Sequence, residues 1–161
     1  MNDLKNKKVI ITGGSRGIGL SVLSNIYEQG GEILTIGSNL SNLENLKKNF
    51  PNIKIEQLNL KNPNEVLNQF PKFIDTLGGL DILVNNAGTS SAAPFDETPD
   101  ETWDYDIDLK LYGAIRCSRL AIDQMKKQSY GRIINITTPG GKAPTASSVP
   151  TSVSRAAGIA L

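Results

Sequence analysis

The segment Thr12-Gly13-Gly14-Ser15-Arg16-Gly17-Ile18-Gly19 lies between a β-branched run, Lys8-Val9-Ile10-Ile11-Thr12, and an apolar series at helical spacing, Ile18, Val22, Leu23, Ile26 and Tyr27. A glycine cluster between a buried strand and a helix restricts the fold more than any other feature of the chain. In that setting Gly13 turns the chain sharply off the strand, Gly17 lets backbone approach a pyrophosphate, and Gly19 lets the helix pack close to the sheet. The free N–H groups and partial positive charge of the helix N-terminus suit phosphate.

The rest of the chain alternates strand and helix. Gly30-Gly31 closes the first helix, Glu32-Ile33-Leu34-Thr35-Ile36 reads as a second strand, and Leu40, Leu43, Leu46 and Phe50 mark a helix that Ser41 and Glu44 are placed to cap as a box and Pro51 ends. Ile53 to Leu58 alternates as an exposed edge strand. Asn62-Pro63-Asn64-Glu65 combines N-cap, first-turn proline and capping-box glutamate for a helix to about Leu77. Asp81-Ile82-Leu83-Val84 is a fourth strand. A long helix follows from Thr98-Pro99-Asp100-Glu101 through Trp103, Ile107, Leu111, Ile115, Ile122 and Met125, and Gly131 to Ile136 is a fifth strand. With right-handed crossovers this order predicts one doubly wound α/β domain over residues 1–161, a parallel sheet of about five strands in a three-layer α/β/α arrangement. A ligand is expected at the carboxyl ends of the strands, where the strand order reverses.

Composition removes several alternatives. The chain has 161 residues, one cysteine and no histidine, with a net charge of +1. Cys/His zinc sites, CxxC redox chemistry and every histidine-based triad are thereby excluded, and no metal site is expected. Scattered charge gives no reason to bind nucleic acid or a membrane surface. Cys117 reads as a small core residue of a reducing compartment, and with no secretory or membrane-length apolar run the expected location is the cytoplasm.

The fourth strand runs into Asn85-Asn86-Ala87-Gly88, placing small and amide residues at a second strand end on the same crevice. With TGGSRGIG at 12–19, NNAG at 85–88 and GRIINIT at 131–137, the chain resembles the short-chain dehydrogenase/reductase family along nearly its whole length. The resemblance implies a Rossmann-type fold and an NAD(P)-dependent oxidoreductase that passes hydride between nicotinamide and a carbonyl or alcohol. Carried over by position, Gly13, Ser15, Arg16, Gly17, Ile18 and Gly19 hold the pyrophosphate side. Asn59 and Leu60 flank the adenine, with the Asn59 amide oxygen in place of the family's carboxylate, and Asn86, Ala87 and Gly88 line the ribose and nicotinamide half. No carboxylate ends the second strand, where Gly37-Ser38-Asn39 stands, and Arg16 and Ser38 are placed to receive a 2′-phosphate; NADP is therefore expected over NAD.

The resemblance also implies a serine, tyrosine, lysine and asparagine set, and here those positions hold Thr138, Thr151, Arg155 and Lys110. Thr138 keeps a hydroxyl able to hold a carbonyl oxygen. Thr151 is shorter than tyrosine and a far weaker acid. Arg155 keeps positive charge and cannot relay protons. Lys110 is read as a helix-surface residue, with a desolvated ammonium acting as acid as the alternative. Two functions stay open: an oxidoreductase working through an altered site, with Lys110, Arg155 or water supplying the proton, and a silent dinucleotide-binding protein acting as sensor or partner subunit. A third reading is a non-functional fragment. The chain stops within the helix that carries Thr151 and Arg155, so an exposed apolar patch is expected on one sheet face, and the intact protein is expected to be a homo-oligomer.

Overall fold

The computed structural model describes residues 4–161. Five parallel strands form one sheet in the order β3-β2-β1-β4-β5: β1 Lys8–Thr12, β2 Glu32–Gly37, β3 Lys54–Gln57, β4 Ile82–Asn85 and β5 Arg132–Asn135. The order reverses at β1, which pairs with β2 on one side and β4 on the other, so the crevice opens at the carboxyl ends of β1 and β4. Ile10 pairs with Leu34 and with Leu83 in register. Strand alternation sends Val9 and Ile11 to one face and Ile10 to the other. Ile10, Leu34, Leu83 and Phe70 belong to the core shared with α3 (Pro63–Leu77) and α5 (Gly113–Lys127). Val9, Ile11, Leu23 and Leu46 belong to the core shared with α1 (Gly17–Glu28) and α2 (Leu40–Asn49). Fully buried side chains such as Phe70 and Ile10 each contribute roughly 1.5–3 kcal/mol by leaving water.

Asn62 caps α3 with Pro63 in the first turn, as the sequence predicts, but the Glu65 box does not close, because the Asn62 backbone N–H donates to the Asn59 carbonyl instead. Asn62 Oδ1 accepts from the N–H groups of Asn64 and Glu65, and its amide donates to Glu65 Oε1. Asn62→Ala should therefore lower stability by about 1 kcal/mol, measured as a shifted urea midpoint with unchanged slope; an unmoved midpoint would refute the cap's contribution. Pro71 stands inside α3. It lacks the N–H for an intrahelical bond, and the buried flank of Phe70, Phe73 and Ile74 holds the helix through it. The Ser41/Glu44 box does not form. Asn39 caps α2 instead, its Oδ1 accepting from Asn42 N–H, because the helix begins at Leu40 and leaves Ser41 inside it.

The long helix is also not uniform. It runs as α4 (Asp100–Ile107), a π turn over Asp108–Tyr112 and then α5, with the Gly113 N–H reaching back to the Asp108 carbonyl. The last helix, α6, spans Thr151–Ala160. β5 forms the second edge of the sheet, and its Ile134 is 46% exposed, as are Val153 and Leu161 to a similar degree. Among the described residues no helix is long and apolar enough to cross a membrane.

Candidate active site and dinucleotide cleft

The end of β1 organises the crevice. Thr12 Oγ1 accepts from the N–H groups of Asn86 and Ala87, each at 3.0 Å, and so ties the β1 end to the β4 end. The Asn86 side-chain amide donates to the carbonyls of Thr12 and Gly13, at 3.1 and 2.9 Å, clamping the glycine turn from beneath. Thr35 on β2 completes the brace, accepting from Gly14 N–H and donating to the Ile11 carbonyl. Asn85 and Asn135 lie side by side in register, and the Asn85 amide donates to Asn135 Oδ1 and Ser118 Oγ. Asn135 thus serves as a structural amide at the end of β5.

Over this floor lies a cleft of about 640 Å³. Every sequence-predicted cofactor position lines it except Gly19, which is buried beneath. The exception follows from packing. A Cβ on Gly19 would overlap the Gly13 carbonyl oxygen and the Asn86 amide nitrogen. Gly17, at φ +55°, has nothing within 4 Å of its missing side chain, so the backbone there is open to a ligand. Asn59 Oδ1 already accepts from Lys61 N–H in a local turn, leaving one lone pair for a second donor. Leu60 is held through its carbonyl by Arg116 Nη1 at 3.1 Å. The charged side chains in the lining are Arg16, Lys61 and Arg155; among the described residues no aspartate or glutamate lines the cleft. Arg16 and Ser38 are both exposed there.

The four catalytic candidates divide into two pairs. Thr138 and Arg155 line the cleft. Arg155 Nη1 donates to the Ile136 carbonyl at 2.6 Å, and a Cβ on Gly88 would come within 2.9 Å of Nη2. Burial lowers the guanidinium's pKa, with Asp106 opposing, though arginine starts so high that it keeps its charge. Lys110 and Thr151 sit behind the cleft wall. The surface reading of Lys110 is wrong: its side chain is 2% exposed, because the π turn carries it inward, past Gly88, against α6. Lys110 Nζ lies 2.5 Å from Asp106 Oδ1 and donates to Thr151 Oγ1 at 3.1 Å. Thr151 Oγ1 also accepts from Ser91 N–H at 2.9 Å, and Ser154 Oγ donates to Asp106 Oδ2 at 2.5 Å. Burial lowers the Lys110 pKa, Asp106 opposes, and Arg155 adds to the lowering.

Sequence reasoning missed Asp106, Ser91, Tyr105 and Lys61. Asp106 and Lys110 carry the i,i+4 spacing of a helix ion pair, a signal the chain does display. Tyr105 and Lys61 join across the cleft wall, with Lys61 Nζ 3.9 Å from the ring centre, and nothing local in sequence connects them. Cys117 is buried in the core, its thiol pushed up to about 12 by burial.

The model of the short chain dehydrogenase family matches residues 7–161. The chain belongs to that family. Over 159 residues it is 30% identical to an uncharacterised oxidoreductase of Staphylococcus aureus strain USA300, covering 98% of this chain and 69% of that protein. It is 36% identical over 141 residues to the 3alpha-hydroxysteroid dehydrogenase of Mediterraneibacter gnavus, covering 84% of this chain and 56% of that one. The crystal structure of an NAD+-bound xylitol dehydrogenase superposes with a TM-score of 0.90 over 98% of this chain and 63% of that one, at 23% identity, a likeness of fold. The chain thus spans between about half and two thirds of the length of these proteins.

Proposed function

We propose that the protein is an NADP-preferring oxidoreductase that interconverts a small carbonyl compound and its alcohol, with Thr138 and Arg155 at the reacting end of the cleft. The observation that carries this reading is the charge of the lining: Arg16, Lys61 and Arg155, without a carboxylate among the described residues. NADP brings a 2′-phosphate that NAD lacks, so a positive lining with Arg16 at the Ser38 end favours it, and the absent carboxylate removes the usual ribose hydroxyl acceptor. The residues fit a dinucleotide on their own geometry. Gly17 is open to the cleft, and Gly19 and Asn86 hold the turn that shapes it.

The bound nicotinamide would supply hydride. Around it Gly13, Ser15, Gly17 and Ile18 would hold the pyrophosphate, Arg16 and Ser38 the 2′-phosphate, and Asn59 and Leu60 the adenine. Ala87 and Gly88 would line the ribose side, with Asn86 fixing the turn rather than donating to the ligand. Thr138 offers its hydroxyl to the substrate oxygen, and Arg155 holds positive charge beside it. Positioning of the reactants supplies much of the acceleration without the family's phenol.

The test is titration with NADPH and NADH separately, followed by nicotinamide fluorescence and melting temperature. NADPH should bind tighter, and Arg16→Ala should weaken it at least about tenfold while leaving NADH nearly unchanged, as loss of one charge-assisted hydrogen bond implies. Tighter NADH binding would reverse the cofactor assignment. The competing reading is a dinucleotide-binding protein without turnover. It draws on the short Thr151, set behind the cleft wall, where a phenol would stand, and saturable cofactor binding with no hydride transfer to any carbonyl would favour it.

A further inference from the structure

We infer that Arg116, which lies outside the cleft, is the positioning residue of its adenine end and sets the Asn59 amide through the loop backbone. The inference rests on the dinucleotide reading above. Residues 59–62 link β3 to α3, and Asn59, Leu60 and Lys61 line the cleft, whereas Arg116 on α5 does not. Arg116 Nη1 donates to the Leu60 carbonyl at 3.1 Å and to the Lys61 carbonyl at 3.4 Å. The N–H ends of the same two peptide units are held from inside the loop. Lys61 N–H donates to Asn59 Oδ1 at 3.2 Å, and Asn62 N–H donates to the Asn59 carbonyl at 3.0 Å. A peptide unit is planar, so fixing its carbonyl fixes the direction of its N–H. The contacts therefore run from the guanidinium through the Leu60–Lys61 plane to the Asn59 side-chain oxygen, whose second lone pair is the acceptor offered to the adenine.

The guanidinium is itself held. Nη2 lies 3.4 Å from Asp108 Oδ1, and the Tyr112 ring centre is 5.1 Å from Cζ. Asp108 and Arg116 are eight residues apart, a spacing that on an unbroken α-helix turns them roughly 80° away from each other. The π turn over Asp108–Tyr112 takes up about one extra residue, so the two stand close to two full turns apart on one face. Gly113, just past that turn, admits the loop: a Cβ there would come within 3.4 Å of Leu60 Cβ. Lys61 supplies a second tie, its Nζ resting 3.9 Å from the Tyr105 ring centre on α4. Two carbonyls and a carboxylate on one group call for a planar fork of donors, which arginine has and lysine lacks. The turn that carries Lys110 inward at one end of the cleft thus also aims the arm that holds the other end.

The experiment titrates the full-length protein and its Arg116→Met, Arg116→Lys and Asp108→Ala variants with NADPH and NADH by nicotinamide fluorescence. Bound NADPH is then displaced with adenosine 2′,5′-bisphosphate, and melting temperature is recorded without ligand. Arg116→Met should weaken NADPH, NADH and the bisphosphate by one common factor of about tenfold, since all three carry the adenine. The emission spectrum of NADPH at saturation should stay that of the wild type, because the nicotinamide end is untouched. Arg116→Lys, with one compact donor in place of the fork, should fall between the two. Asp108→Ala, which frees one edge of the guanidinium, should lose about threefold. These two variants carry the test if Arg116→Met does not fold. Wild-type affinity in the variants, a loss for NADPH that spares NADH, or a loss for NADPH that spares the bisphosphate overturns the positioning role alone. A changed emission spectrum with a lowered melting temperature, the mark of general loosening, overturns it equally. Failure of the wild type to bind either dinucleotide overturns the cofactor reading and this one together.

Discussion

Replacing Lys110 with methionine should destabilise the protein by about 3–5 kcal/mol, more than any other single surface or site change expected here. Asp106 is fully buried, bonded by the Ser154 hydroxyl and paired with the Lys110 ammonium, with the more distant Arg155 guanidinium as a further cation acting on it. Removing the Lys110 cation leaves a carboxylate in a dry site. Lys110→Met combined with Asp106→Leu should recover most of the loss, since a paired apolar replacement removes both desolvation penalties. Urea denaturation of the three proteins measures this; equal stability of the single variant and the wild type would show that the pair contributes nothing. Burial lowers the Lys110 pKa from its ordinary 10.5, so between the folded and unfolded values the unfolded chain binds more protons, and stability rises with pH in that window.

Gly19→Ala should be nearly as damaging, at about 3 kcal/mol, and should remove dinucleotide binding as well. A methyl there overlaps the Gly13 carbonyl oxygen and the Asn86 amide, the donor–acceptor pair that fixes the phosphate turn. Neither atom belongs to a flexible side-chain end that can swing aside, for one is backbone and the other already bonds two carbonyls. The helix must move off the sheet or the turn must reshape. Gly17→Ala offers the contrast: its Cβ meets no atom, although φ +55° strains any side chain, so the expected cost is near 1 kcal/mol. Melting curves with and without NADPH separate the two. Normal melting and binding in Gly19→Ala would contradict the close packing of α1 on the sheet.

The phosphate turn, the two strand ends and the cap of α3 were legible because each is written within a few neighbouring residues, where backbone geometry leaves few choices. Asn62 with Pro63 and the run from Gly13 to Gly19 are local statements of this kind. Asn39 displaced the Ser41 box because helix phase, set by Leu43 and Leu46 against the sheet, decides which residue stands at the end. Lys110 was misjudged for a different reason. A lysine on a helix is ordinarily solvated, and only the π turn and the burial of Asp106 one turn earlier bring it inward. The contact between Lys110 and Thr151 spans 41 residues and two helices, and no window of sequence contains it. Tyr105 beneath Lys61 is hidden in the same way.

The cleft's one-sided charge also bears on how quickly and under what conditions a ligand arrives. Arg16, Lys61 and Arg155 project a positive field over an opening of about 640 Å³, so anions in the medium compete for it before any nucleotide does. Encounter should be fast at low ionic strength and should slow as salt shortens the Debye length from about 30 Å at 0.01 M to about 8 Å at 0.15 M. Affinities measured in phosphate or sulfate buffer will then understate those in a weakly coordinating one, and the choice of buffer becomes a variable of the measurement rather than its background.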